Sequence, residues 1–244
     1  MSVRKAERWV ACFDLHGDQQ DADTVRVFNQ FVADFRPTVR VCGGDVWDLR
    51  WLRRSASDDE KMEQVSADFE AGMEFLGKFR PTHFLWGNHD QRLRDALDQP
   101  SKGGALRALA SAWLDRIEVG TKGCKHYPYD KRAGVLRYGD HSLVHGYAHG
   151  VGATRKHALV YGNVIHGHIH AIDRVSVERH DGATAYAAGC LCRLDFDYAR
   201  ANVGTLRQAH GWVYGVNVGG RLTVWQAQKV GGAWTLPSEF KEWR

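Results

Sequence analysis

Proline is scarce in this chain, at five in 244 residues, and no Pro-rich or low-complexity tract interrupts it. Nothing therefore marks a linker, and residues 1–244 are expected to form a single domain with a sizeable core. Cysteine is too sparse and scattered for a disulfide framework: Cys12, Cys42, Cys124, Cys190 and Cys192 are odd in number and form no C-x-x-C pair. Cys12 and Cys42 sit in apolar strand-like runs, where a small buried thiol is the default, and Cys190 and Cys192 would share one face of a strand. A reducing cytoplasm is the expected setting. No apolar run approaches the ~20 residues of a membrane span. Met1 to Val10 is charged and lacks an apolar stretch, so no secretory leader is expected. The formal charge of +4 is mild; it tolerates an anionic substrate without being a nucleic-acid signature by itself.

What the chain does have is a repeated unit. Trp9 to Phe13 is a short strand-forming run followed at once by Asp14 and His16. Asp21 to Phe35 spaces Val25, Phe28, Phe31, Val32 and Phe35 as a helix face. Val39 to Cys42 is a second strand, stopped by Gly43-Gly44 and followed by Asp45. Asp58 to Phe79 carries Met62, Val65, Phe69, Met73 and Leu76 on one helical stripe, and His83 to Trp86 is a third strand. Alternation of this kind predicts parallel strands with covering helices, and ligands then gather beyond the carboxyl ends of the strands. Gln91 to Leu97 and Ala105 to Leu114 read as further helices. Past Glu118 the pattern is β-rich, with expected strands at Val135–Tyr138, Ser142–His145, Val164–His166, Val175–Arg179 and Ala185–Ala188. Trp212–Val218 and Arg221–Gln226 read as a hairpin across Gly219-Gly220. Lys122 to Arg132 and Gly146 to His157 are the expected long loops.

Five motifs stand in order at the strand ends: Asp14-x-His16, Gly44-Asp45-Val46-Trp47-Asp48, Gly87-Asn88-His89-Asp90, an isolated His145, and Gly167-His168-Ile169-His170. They supply a carboxylate able to bridge two cations, an amide and four imidazoles, with His89 left over for chemistry. The series resembles the calcineurin-like metallophosphoesterase superfamily, over Asp14 to His170. The resemblance implies a four-layer α/β/β/α sandwich and a pair of divalent metal ions. It assigns Asp14, His16 and His170 to one ion and Asn88, His145 and His168 to the other, with Asp45 bridging. Mixed nitrogen and oxygen ligation suits manganese, which leads, or iron, zinc, cobalt or nickel. His89 matches a residue that protonates the leaving oxygen, or stabilises the charge developing there, after attack by a metal-bridging hydroxide. Asp48 matches an acid that hydrogen-bonds this histidine, fixes its tautomer and favours the protonated form. For His168 and His170 to act together, the strand has to turn, and Gly167 is the expected place.

Departures from subfamily patterns narrow the substrate. Leu49 follows Asp48, where the Ser/Thr phosphatases place Arg-Gly; Mre11-type nucleases carry His in place of Asp48; lipid-precursor pyrophosphatases put Arg at His89. Cyclic-nucleotide and related phosphodiesterases, and compact phage and bacterial phosphoesterases, fit better. Leu49-Arg50-Trp51-Leu52-Arg53-Arg54 interleaves arginine with tryptophan beside the metal ligands, so Arg50, Arg53, Arg54 and Trp51 are candidates to hold phosphates and stack a base. The alternative places Trp47 and Trp51 in the core and Arg53 and Arg54 at a solvated helix start. His149 is a further substrate candidate, and Arg92 a weaker one. The expected function is hydrolysis of phosphodiesters in nucleotides or nucleic acid, without a membrane partner. The rival readings are a phosphomonoesterase and a non-catalytic scaffold on the same fold.

Overall fold

The computed structural model describes residues 6–53, 56, 60, 65–98, 103–195 and 203–236. Two sheets face each other. In the first, β1 (Glu7–Cys12), β2 (Val39–Cys42), β3 (His83–Leu85) and β4 (Lys125–Tyr127) run parallel. Antiparallel to β1 on its other side lies β10 (Gly211–Val218), followed outward by β12 (Trp225–Val230) and β13 (Ala233–Thr235), with the short β11 (Arg221–Leu222) also on β10. The second sheet has the order β5 (Leu136–Tyr138), β6 (His141–Val144), β7 (Val164–His166), β9 (Ala183–Ala188), β8 (Ile172–Val177). Strands β6, β7 and β9 are parallel.

Alternation in β1 explains the layering. Trp9, Ala11 and Phe13 point between the sheets, where they meet Leu143, Ile165 and Ala188 of the second sheet. Val10 and Cys12 point outward into a larger core built by α1 (Ala22–Phe35), α2 (Val65–Phe79), α3 (Gln91–Asp98) and α4 (Gly104–Gly120). That core is aromatic: Phe28 of α1 touches Phe75, Phe79 and Trp212, and Phe69 stacks on Trp113 at 4.2 Å. On the far side, α5 (Ala153–Tyr161) lays Ala158 on Val144, Val164 and Ala185. Helices, sheet, sheet and helix make the expected α/β/β/α sandwich. Among the described residues no helix is long and apolar enough to cross a membrane.

Asp21 starts α1 as its cap, its carboxylate accepting the Thr24 N–H at 2.8 Å. The expected start of the next helix, Asp58 to Gln64, falls largely outside the described residues. Two expected loops hold regular structure. Lys122–Arg132 contains β4, whose three residues are too few and too exposed to show a period. Gly146–His157 contains the start of α5, whose buried face is made of Ala153, Thr154, His157 and Ala158 rather than large apolar residues. The fourth strand of the second sheet in chain order, β8, begins at Ile172 and stops at Val177, because Glu178 and Arg179 lead into the turn at Gly182. The C-terminal hairpin forms, but on the first sheet, so the β-rich second half serves both sheets.

Gly72 lets α2 approach the loop after β2. A Cβ there would lie 2.1 Å from Nε1 of Trp47, whose ring is fully buried and donates to the Phe69 carbonyl at 3.0 Å. Gly72→Ala removes a helix-weakening glycine, yet overpacking dominates and is expected to cost ~1–3 kcal/mol. A thermal melt reads this directly, and an unchanged or raised midpoint would show that Trp47 yields without cost.

Candidate metal centre

Every motif falls at the carboxyl end of a parallel strand: β1 delivers Asp14 and His16, β2 delivers Asp45 and Asp48, β3 delivers Asn88 and His89, β6 delivers His145, and β7 delivers His168 and His170. The chain is strained to make them converge. Among the described residues eight non-glycines have positive φ, and six are Asp14, His16, Asp45, Leu49, His168 and His170. Each costs on the order of 1 kcal/mol, which the surrounding fold must supply. The expected turn at Gly167 is thus made by the histidines themselves (φ 69° and 53°). Gly167 is needed for room instead, since a Cβ would lie 2.6 Å from Phe13 Cβ and 2.7 Å from the Asp14 carboxylate.

Two groups of side chains meet at Asp45. On one side, His16 Nε2 faces His170 Nε2 at 3.1 Å, and His170 Nε2 lies 3.7 Å from Oδ1 of Asp14. On the other, His145 Nε2 lies 3.3 Å from Oδ2 of Asp45 and 3.1 Å from Oδ1 of Asn88. The same Asp45 Oδ2 is 3.9 Å from His16 Nε2. His168 belongs with Asp45 and His145, and its Nε2 also contacts His149 Nδ1 at 2.7 Å. His145 Nδ1 donates to the Gly43 carbonyl at 2.9 Å, which leaves the Nε2 lone pair of the neutral ring aimed at two oxygens. Those groups repel unless a proton or a cation lies among them. Asp14 Oδ1 is fully buried and accepts no hydrogen bond. Lone pairs converging in two adjacent groups are what a pair of divalent cations requires, so the residues fit the metals the motifs imply.

The electrostatics agree. Burial raises Asp14 to about 7, against the opposing pull of His145. Burial likewise disfavours the charge on Asp45 and Asp48, but His145 and His89 hold the first, and His16 and His89 the second, well below the usual carboxylate range. Burial would lower His16, yet the Asp48 hydrogen bond and the surrounding carboxylates raise it to about 9. His145 rises to about 9 in the same way, mainly through Asp45. His168 falls to about 3 through burial and the neighbouring His145, and His170 falls through burial and His16. In the chelated protein, then, His16 and His145 carry protons that a cation has to displace. Their folded pKa values are raised from 6.5, so the stability these charges give is complete below pH 6.5 and is lost as pH rises through about 9. Metal affinity runs the other way. It is expected to tighten between those two pH values, by up to about tenfold per unit for each proton released. Calorimetry in buffers of different ionisation enthalpy measures the release, and a pH-independent affinity with no proton release would remove these two imidazoles from the ligand set.

His89 is the imidazole the resemblance leaves out of the ligand set, although its ring also lies close enough to His16 and Asp45 for the three to hold an ion. Its Nδ1 lies 2.8 Å from the Asp48 carboxylate and 2.8 Å from the Asp48 carbonyl, and its Nε2 is 4.0 Å from Asp45. Its backbone N–H donates to Asp45 Oδ1 at 2.8 Å. Asp48 also meets His16 Nδ1 at 3.3 Å, so one acid orients both rings.

The substrate candidates disperse. Arg50 is held by Asp18 through two contacts of 2.8 Å and lies 3.6 Å from Asp48. Arg53 pairs with Glu60 at 2.5 Å. Trp51 packs edge-on against Trp113 at the margin of the helical core. His149 is exposed beside His168, and Arg54 lies outside the described residues. Arg92 donates to the Asp48 carbonyl at 2.7 Å, tying α3 to the acid's loop.

Asp90, Asp68 and Gln208 had no role in the sequence reading, and Cys192 had only the strand face it shares with Cys190. Asp90 is fully buried and accepts N–H bonds from Val46, Trp47 and Gly87, locking two motif loops together. Asp68, inside α2, accepts the N–H groups of Asp48 and Leu49 at 3.0 and 2.7 Å. Cys192 and Gln208 lie 3.7 and 3.5 Å from His170 Nδ1. Only Asp90 had a local signal, as the acid that closes its motif.

No family model and no curated protein matches this sequence. Among solved structures the chain is similar to zinc-complexed Vps29 from Entamoeba histolytica (13% identity, TM-score 0.49, covering 93% of this chain and 96% of that one). It is similar to an archaeal phosphodiesterase (13%, TM-score 0.44, 91% and 99%). A metallophosphoesterase from Sphaerobacter thermophilus is a third (15%, TM-score 0.47, 91% and 88%). Similarity this distant carries no chemistry, which has to come from the residues themselves. The two-sheet sandwich with its acids and histidines at the strand ends agrees with the calcineurin-like metallophosphoesterase architecture that the motifs imply.

Proposed function

We propose that this protein is a dinuclear-metal phosphohydrolase acting on phosphodiesters, with His89 as general acid. The observation that carries the reading is Asp45, whose Oδ2 faces His145 on one side and His16 on the other, at 3.3 and 3.9 Å. Divalent cations held there would polarise phosphoryl oxygens and supply a hydroxide near neutral pH. The chain's own contribution is placement. His145 is fixed by the Gly43 carbonyl and His89 by Asp48, so neither ring has to reorganise during turnover. His89, with its side chain 22% exposed, sits at the rim, where it can give a proton to a departing oxygen.

A diester fits better than a monoester because, among the described arginines near the site, Arg50 is paired with Asp18 and Arg53 with Glu60, and Arg92 is held on the Asp48 carbonyl. A dianionic monoester would want such a clamp, whereas a monoanionic diester needs less countercharge. His149, beside His168, is the proposed contact to the substrate's far side. Manganese-loaded protein is expected to hydrolyse bis-p-nitrophenyl phosphate well ahead of p-nitrophenyl phosphate. A monoester preference would move the protein to the phosphatase side, and no turnover on either with both metals bound would leave a binding scaffold.

A further inference from the structure

A cavity of about 420 Å³ opens between the 130–134 turn and α5, outside the cluster of metal-ligand candidates. Its walls are the rings of Tyr147, His157 and Tyr161 and the side chain of Val160, and Lys131, Arg132 and Lys156 line it as well, with no carboxylate among the lining side chains. The rings are fixed in place. Tyr147 and Tyr161 donate their hydroxyls to the carbonyls of Asp130 and Lys131 at 2.7 and 3.0 Å. His157 donates from Nδ1 to Ala153 and accepts the Tyr147 N–H at Nε2, at 2.8 and 2.9 Å. His157 is buried with its ring stacked on His166 at 4.1 Å, so the accessible aromatic surface is that of the half-buried Tyr147 and Tyr161, and Val160 beside them is 70% exposed. One ring links the cavity to the metal ligands: Tyr129 packs against Tyr147 of its wall and against His145, at 5.1 and 5.8 Å.

We infer that this cavity binds the base of a nucleotide whose phosphate reaches the metal centre. A planar ring suits the aromatic walls, and Lys131, Arg132 and Lys156, with Asp130 beside the first two, leave a net positive rim that favours an anionic nucleotide over a neutral ligand. The volume is in the range of small-molecule pockets. A second copy of the chain is disfavoured as the occupant, since a two-fold contact would press Lys131, Arg132 and Lys156 against their own counterparts. The placement of the phosphate rests on the phosphodiesterase reading; the base site does not.

Calorimetry on metal-loaded protein with AMP, and with ribose 5-phosphate as the base-free probe, tests the site. Wild-type protein is expected to bind AMP at least tenfold more tightly. Val160→Trp fills the cavity from an exposed position and should abolish that difference while leaving ribose 5-phosphate within about twofold. Lys156→Glu, also at the surface, should weaken AMP at least threefold. Metal content and melting temperature of each variant report an intact fold. Equal affinity for the two probes in wild-type protein, or an AMP preference that survives Val160→Trp, overturns the inference. So does a concentration-dependent dimer in sedimentation that Val160→Trp dissolves. Wild-type hydrolysis of bis-p-nitrophenyl phosphate reads the phosphodiesterase proposal separately: AMP preference without hydrolysis sinks that proposal and keeps the base site, and hydrolysis without AMP preference does the reverse.

Discussion

His89→Ala is expected to lower turnover of diesters with a poor leaving group by 10²-fold or more while metal content stays at the wild-type level. The separation follows from geometry. His89 reaches Asp48 with Nδ1 and lies 4.0 Å from Asp45 with Nε2, much as His16 does at 3.9 Å, but its side chain is 22% exposed at the rim, whereas His16 is 5% exposed and also faces His170 at 3.1 Å. Truncation leaves the backbone N–H of residue 89 on Asp45 Oδ1, so the carboxylate keeps its orientation. It also leaves Asp48 its contact with His16. The loss should be largest for substrates with a poor leaving group and small for p-nitrophenolate, which departs without a proton. Single-turnover rates on esters of graded leaving-group pKa, with metal counted per chain, make the measurement. A uniform loss across the series would give His89 a role in binding the phosphoryl group instead, and a loss of metal would make it a ligand.

The parts of this site that were legible in the sequence are those whose signal is local. Strand, acid or histidine, helix recurs three times, and each motif begins within a few residues of a strand end, so order alone places Asp14, Asp45 and Asn88 together. What stayed hidden depends on contacts between distant segments. Asp68 supports the loop at Asp48 and Leu49 from twenty and nineteen residues away, inside a helix whose apolar stripe gave no reason to single out an acid. Cys192 and Gln208 reach His170 from a segment that pairs with nothing predictable, through isolated bridges such as Ala171 with Gln208. The turn at His168 and His170 reversed an ordinary preference. Glycine is the residue expected to take positive φ, but here the ligands take it and the glycine provides clearance for Phe13. Strained ligands of this kind are where local propensity gives way to function. The helical part of Gly146–His157 was missed for a plainer reason, since α5 buries small and polar residues and carries no large apolar stripe.

Asp45→Asn is the substitution expected to separate metal binding from folding most cleanly. Asp45 does two jobs with two oxygens: Oδ1 accepts the His89 N–H at 2.8 Å, and Oδ2 faces His145 and His16. An amide keeps the first, so no buried donor is orphaned and that cost, about 1–3 kcal/mol, is avoided. At the second it replaces a charged acceptor with an N–H donor, which satisfies the Nε2 lone pair of neutral His145 but cannot share a pair of cations. One negative charge also leaves a pocket that holds Asp14, Asp48 and Asp90. Against that relief, the variant loses the carboxylate that holds His145 and His16 protonated, so in chelator it should melt below the wild type at pH 7, with the gap closing as pH rises through about 9. Wild-type protein should gain stability on adding metal, about 2.7 kcal/mol at a free concentration a hundredfold above Kd. The variant should gain little, and should hold at least one ion fewer per chain, with hydrolysis reduced at least a hundredfold. The choice of Asn over Ala matters, because alanine would strip the His89 N–H of its acceptor and mix a folding defect with the loss of metal. Elemental analysis paired with melts in chelator and in manganese decides the matter. Two ions per chain and an undiminished metal-induced shift would take the bridging role away from Asp45 and leave the two groups of ligands as independent sites.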